Sequence, residues 1–322
     1  MLETPLCSLL GVSVPIIQGP LGGPWSPSLR LAAAVSDAGA LGSLPTALRS
    51  PEQVREDIAS LRDMTARPYA VNHTMKPFVE DVFAEIVRAA PPVVSFALGC
   101  RADVIARVHD AGSLFVQQVH TVAQAAEAVE AGADVIVAQG GEAGGFGGAA
   151  STMVLVPQVV DAVHPVPVVA AGGVADGRGL AAALALGAQG ANVGTRFVLS
   201  EEAELSDGYK QALLAARSEE TLRAAFVNDL LPPASDGAYA TVPRVIRNAF
   251  VEEWDGREDD VRTMQAELVE RMRAAIRENR VHEVMVITGE VAGAISDVLP
   301  AAEIVRRMAT GAEDVLRALA RV

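Results

Sequence analysis

The chain reads as an α/β protein, a (β/α)8 TIM barrel with an inserted helical cap, and three observations lead there. Eight short apolar runs, rich in β-branched residues, alternate with alanine-rich stretches of helical character. Four of those helical stretches end in an Ala-Gly or Leu-Gly step, at Gly39, Gly112, Gly132 and Gly187, each placed to close a helix before the next strand. Two glycine turns, Gly172-Gly173 and Gly194-Thr195, follow consecutive runs late in the alternation.

Taken in order, strands are predicted at 14–18, 40–43, 69–72, 93–96, 114–118, 134–138, 168–170 and 190–193. Eight is the number that closes a barrel. An open doubly wound sheet fits the alternation too, but it usually has fewer strands and one glycine fingerprint near the first. After Phe197 the character changes: 201–280 is acidic and helical in pattern, broken by Leu231-Pro232-Pro233 and Asp255-Gly256. The apolar rhythm returns at 284–287 and in a helix at 297–319. The expected division is therefore a barrel formed by 1–200 and 281–322, with 201–280 as a cap that shields the strand ends from water.

Composition narrows the function classes. The 322 residues are 50% hydrophobic and 20% charged, enough to bury a large core. A net charge of −14 opposes nucleic acid and anionic membrane as partners, so a bound phosphate must be held by local backbone dipoles. Cys7 and Cys100 show no metal-ligand spacing and no redox motif. The N-terminal segment carries Glu3 and no basic lead-in, and apolar stretches long enough to span a bilayer all contain charge or proline. A cytoplasmic protein acting on a small molecule is expected, and a homodimer is compatible with the sequence.

The two glycine turns are the strongest site signal. Asp176-Gly177 opens an alanine-rich helix at 178–186, whose first-turn amides are expected to face an anion above the strand. The second turn offers backbone N–H groups and the Thr195 hydroxyl to the same anion. In a barrel the active site sits just past the C-terminal ends of the strands, so the remaining candidates follow the other runs. Gly19, Pro20, Leu21 and Gly22 present bare backbone to a flat ring. Asn72, Gln118 and Gln139 carry amides that both donate and accept, as a ring edge of alternating C=O and N–H groups demands. His73 and His120 lie at the same mouth, and a long glycine loop spans 140–148.

The segments PIIQGPLGG, AVSDAGALGS, AQGGEAGGFGG, VVAAGGVADGRGLAAALALGAQGANVGTRF and GEVAGAISDVLPAAEIVRRM resemble the nitronate monooxygenase (2-nitropropane dioxygenase-like) family of FMN-dependent barrels, over nearly the whole chain. Pro243-Arg244-Val245-Ile246-Arg247-Asn248 resembles that family's arginine-asparagine stretch in the cap. The resemblance implies FMN phosphate on Gly172, Gly173, Gly194 and Thr195, with Ala171 standing where some relatives have serine. It also implies the isoalloxazine ring on the 19–22 backbone, with Asn72, Gln118 and Gln139 near its polar edge and Gly144-Gly145 near its face. Glu290 stands where the family often has glutamine; a carboxylate there would disfavour an anionic reduced ring unless protonated or turned away.

One departure matters for chemistry. The family's Glu-Ala-Gly-Gly-His has a histidine regarded as the base that deprotonates a nitroalkane, and this chain has Phe146. Phenylalanine accepts no proton, so base-assisted C–H abstraction at this position is excluded. A nitronate is already deprotonated and does not need that base. The catalytic residue is left unknown, with His73 and His120 as weak substitutes, Tyr69 and Tyr239 weaker, and Glu142 either a base or a holder of its own loop's amides. Phe146 itself is either drift in a relative with altered chemistry or an apolar substrate wall.

The leading functional expectation is an FMN-dependent oxidoreductase that oxidises alkyl nitronates with O2. An NAD(P)H-dependent reductase of an enoyl thioester or quinone is the second, with the nicotinamide binding transiently. A flavin-binding protein without turnover is the third.

Overall fold

The computed structural model describes residues 2–21, 29–230 and 241–321. All eight predicted runs form strands of one parallel sheet: β1 (Ile16–Gln18), β2 (Gly42–Pro45), β3 (Tyr69–Thr74), β4 (Val93–Ala97), β5 (Leu114–Val119), β6 (Val135–Gln139), β8 (Val168–Ala171) and β9 (Gly190–Val193). The intervening β7 (Gly145–Gly147) and the later β10 (Thr221–Arg223) and β11 (Val242–Ile246) form a separate three-stranded sheet. Spatial order in the large sheet runs β1-β9-β8-β6-β5-β4-β3-β2. A parallel bridge between Ile17 and Leu41 joins its two edges and closes the barrel.

That seam is short, and Gln18 reinforces it. Its side-chain amide, fully buried, donates to the Ser43 carbonyl at 3.2 Å and accepts from the Ser43 N–H at 3.2 Å, imitating a further ladder pair. The barrel interior holds Ile17, Leu41, Ala70, Val93, Val116, Val135, Val137, Val169 and Ala171, plugged by Leu6 and Leu10 from the helix Pro5–Leu10. Gly39, Gly112, Gly132 and Gly187 all adopt φ between +82° and +107°, the left-handed closure expected of them.

The segment 201–280 contains β10 and β11 as well as the helices Asp207–Ala215, Ala249–Trp254 and Glu258–Arg277, so it is not purely helical as expected. Its core gathers Leu213, Phe226, Val245, Phe250, Trp254, Leu268 and Met272. Val284, Met285, Val286, Ala292 and Ile295 pack into that same cluster. The 284–287 run, where barrel rhythm was expected to resume, makes only a bridge from Ile287 to Val245. The final helix, Ala301–Leu319, returns to the barrel wall through Ile304, Val305 and Met308.

Candidate active site

A cavity of about 530 Å³ opens at the C-terminal ends of the barrel strands, between them and the cap segment. It is lined by Gly172, Gly173, Gly194 and Thr195 at one end, and by Gly19, Pro20, Leu21, Asn72, Gln118, Gln139, Gly144, Gly145 and Ala171 along its floor. Gly22 and Tyr239 lie outside the described residues. Gly172 has φ +103°, and a Cβ there would come within 2.9 Å of Thr152 Oγ1 and 3.0 Å of the Ala143 nitrogen. Gly173 follows at φ +75°.

The helix after this turn spans Gly177–Ala185, and its start is not the open anion site expected from the sequence. Asp176 caps it, its carboxylate accepting from Arg178 N at 2.9 Å and Gly179 N at 3.2 Å. A negative charge already occupies the helix terminus, so an anion must be met by the Gly172-Gly173 turn itself. Across the cavity, Thr195 Oγ1 accepts from Gly289 N at 2.9 Å, which leaves the hydroxyl proton to be donated. Gly19 has a different justification from the one expected. Its Cβ would meet Gly194 Cα at 3.2 Å and Asn192 Oδ1 at 3.3 Å, so glycine here eases the packing of two strand ends.

The amides on the floor form one network whose orientation can be deduced. Gln139 Nε2 donates to the Gly144 carbonyl at 3.2 Å, so Gln139 Oε1 is the end that meets Gln118 Nε2 at 2.9 Å and His120 Nε2 at 2.8 Å. His120 Nε2 must therefore carry the ring proton. Burial lowers the His120 pKa, against a smaller upward pull from Gln139, and the ring stays neutral. His120 lies behind Gln139, under the glycine loop at Gly148, and holds the network rather than facing the cavity. Asn72 commits its NH2 group to Ser95, at 3.3 Å to the carbonyl and 3.1 Å to the hydroxyl. Sequence reasoning missed Asn192, whose buried Oδ1 has no partner and which lines the same cavity; an amide inside the last barrel strand was the available signal.

His73 also touches the cavity, but its ring packs between Phe78 and Phe96, with centroids 5.9 and 5.6 Å away. Thr46 Oγ1 donates to the Asn72 carbonyl at 2.9 Å and so accepts from His73 Nδ1 at 2.8 Å. Burial lowers the His73 pKa to about 4. A base that weak, wedged between two rings and bonded to Thr46, is a poor proton acceptor. Tyr69 is buried in the barrel wall among the core side chains.

Glu142 is a structural cap. Its carboxylate accepts from Thr152 N at 2.8 Å and Thr152 Oγ1 at 2.9 Å, at the start of the helix Thr152–Val163. Glu290 is turned away from the cavity and neutralised, its carboxylate 2.8 Å from the buried Arg244 guanidinium. Phe146 sits half-buried in β7 and lines the cavity. Segment 201–280 contributes Ile276 and Tyr209, and the run that packs against it contributes Val281, Val284, Met285 and Ile287; the Tyr209 hydroxyl donates to the Ile287 carbonyl at 3.1 Å. At the far end, Arg49 and Lys76 line the cavity from the loops after β2 and β3.

A family model described as nitronate monooxygenase matches residues 3–311. The chain belongs to the nitronate monooxygenase family. Membership makes it an oxidoreductase of a flavin-dependent group. Among solved structures, FabK from Thermotoga maritima superimposes with a TM-score of 0.89 at 32% identity, covering 99% of both chains. Nitroalkane oxidase from Streptomyces ansochromogenes gives 0.85 at 27% identity, covering 98% of this chain and 99% of that one. A relative from Mycobacterium tuberculosis, (3aS,4S,5R,7aS)-5-hydroxy-7a-methyl-1-oxo-octahydro-1H-indene-4-carboxyl-CoA dehydrogenase, is 37% identical over 224 residues. That match takes in 69% of this chain and 62% of the dehydrogenase. No helix among the described residues is long and apolar enough to cross a membrane.

Proposed function

We propose that this member of the family is an FMN-dependent oxidoreductase of a bulky acyl thioester, taking electrons from NAD(P)H. The observation that carries the reading is Phe146: an apolar ring occupies the substrate wall where nitroalkane chemistry needs a base, and neither His73 nor His120 replaces it. The cavity's size, within the roughly 300–1,000 Å³ of ligand sites, suits a flavin with an apolar substrate beside it. The M. tuberculosis relative is named for a CoA thioester. Lys76 at the mouth suits the phosphates that such a thioester or a dinucleotide carries, whereas Arg49 is already paired with Asp57.

The residues present fit FMN. Gly172 leaves no room for a side chain of its own, Gly173 holds a left-handed φ that favours glycine, Thr195 has a proton to donate, and Asn192 Oδ1 has no donor among the described residues. Gly172, Gly173, Gly194 and Thr195 would hold the phosphate, and Asn72, Gln118 and Asn192 the polar edge of the ring. Bound there, FMN would supply hydride chemistry. Phe146 and the apolar side chains Val284, Met285 and Ile287 exclude water from the reacting face and orient an apolar acyl group. No side chain at that wall moves a proton, so the proton that accompanies hydride in reducing a C=C bond comes from solvent. Arg244 keeps the Glu290 charge paired and away from the ring.

Nitronate oxidation is the second reading, favoured by the nitroalkane oxidase likeness and compatible with Phe146 for a substrate that is already deprotonated. Anaerobic stopped-flow spectra of the FMN-loaded protein distinguish the two. Bleaching by NADH or NADPH followed by reoxidation with crotonyl-CoA supports the thioester reading. No bleaching by either nucleotide, with rapid reaction of the oxidised enzyme with ethyl nitronate, rejects it.

A further inference from the structure

We propose that Arg223 is a positioning residue that fixes Phe146 through the Gly147 carbonyl and thereby sets the width of substrate the site accepts. The inference rests on the reading of Phe146 as substrate wall. Phe146 stands between Gly144-Gly145 and Gly147-Gly148, so its own backbone is as free as a chain can be and its position must be imposed from outside. Gly145 adopts φ +69° with no atom within 4 Å of the place a Cβ would take.

The ladder to β11 sets the backbone on either side, pairing Gly147 with Val242 and Gly145 with Arg244, but it adds no bond at Phe146 itself. Phe146 lies opposite Pro243 in β11, which has no N–H, and the Pro243 carbonyl already accepts from Ala224 N at 2.9 Å. Two arginine side chains supply what the ladder lacks. Arg244 Nη2 donates to Gly141 O at 3.0 Å and Arg223 Nη2 donates to Gly147 O at 3.2 Å, fastening the loop on both sides of Phe146.

The two arginines face each other across β10 and β11, where like charges repel. Arg244 is compensated by Glu290, whereas Arg223 has no carboxylate among the described residues; the Nε of each is buried without a partner among them. Burial and then the neighbouring Arg244 both pull the Arg223 pKa down. A cation kept at such a place is costly unless its one bond, to Gly147 O, matters.

The test uses FMN-loaded wild type, Arg223→Gln, Phe146→Ala and the double variant, with Arg223→Lys as the second variant should Arg223→Gln fold poorly. Hydrogen exchange over 140–150 is expected to quicken in Arg223→Gln while FMN affinity holds. Dissociation constants for crotonyl-CoA and the wider cinnamoyl-CoA, read from flavin absorbance, give the selectivity. Arg223→Gln should shrink the preference between them by about fivefold, and the double variant should shrink it no further than Phe146→Ala alone. Unchanged exchange, or effects of the two substitutions that simply add, overturns the proposal. If the loop loosens but neither thioester binds any of the proteins, the thioester reading falls and the selectivity claim with it.

Discussion

Replacing Gly172 by alanine tests the phosphate cradle at the point where the backbone is most constrained. With φ +103°, any side chain is strained by about 1–3 kcal/mol. The added Cβ also meets Thr152 Oγ1 at 2.9 Å and Ala143 N at 3.0 Å. Thr152 cannot yield freely, because its hydroxyl donates its one proton to Glu142 at 2.9 Å or to Gly172 O at 3.1 Å, and displacing it adds about 1–2 kcal/mol. The sum, about 2–5 kcal/mol, lowers the melting temperature of the apoprotein by roughly 2–4 °C per kcal/mol. Because the turn relaxes by moving the amides that meet the anion, FMN affinity should fall at least about tenfold, a loss of 1.4 kcal/mol. Gly112→Ala is the control: φ +82° with nothing within 4 Å of the new Cβ gives strain alone, away from the cavity. Apoprotein melting and fluorescence titration with FMN read both quantities. Wild-type FMN affinity in Gly172→Ala, with a melting shift no larger than that of Gly112→Ala, would show that Gly172 is only a turn.

Three further outcomes are expected. Phe146→His should raise oxidation of neutral nitroalkanes more than of nitronates, measured as oxygen uptake; equal gains on both contradict the missing-base account. Lys76→Met should raise KM for a CoA thioester several-fold at low salt, less at high salt, and leave an N-acetylcysteamine thioester unaffected; parallel changes for both would remove the phosphate role. His73, held to about 4 in the folded protein against an ordinary 6.5, binds fewer protons folded than unfolded between those values. Stability should therefore be intact above pH 6.5 and fall by about 3 kcal/mol as pH drops toward 4. Denaturant titrations of wild type and His73→Phe across that range check it, and identical pH slopes would refute the assignment.

The barrel and the cavity floor were legible because their signals are local. A strand followed by glycine or an amide reads directly as a loop at the barrel mouth, and Gly172, Gly194, Asn72 and Gln118 all land there. The structure differs where long-range partners decide. Glu142 and Glu290 found partners in Thr152 and Arg244 that sequence spacing does not reveal, whereas the Asp176 cap is local and an aspartate at the helix start was the available signal. β7 and β10 are three residues each, too short for periodicity, and β7 exists only because β11 arrives beside it. The end of the first strand at Gln18 is legible, but its role in closing the seam is a property of the completed barrel.

The central claim is that this chain holds FMN with its phosphate between the turns at Gly172-Gly173 and Gly194-Thr195, and the flavin ring facing Phe146. A crystal structure of the FMN-loaded protein measures this directly. Phosphate oxygens within hydrogen-bond distance of both turns are expected. A phosphate lying elsewhere, or seated on the Asp176 helix start, would contradict it.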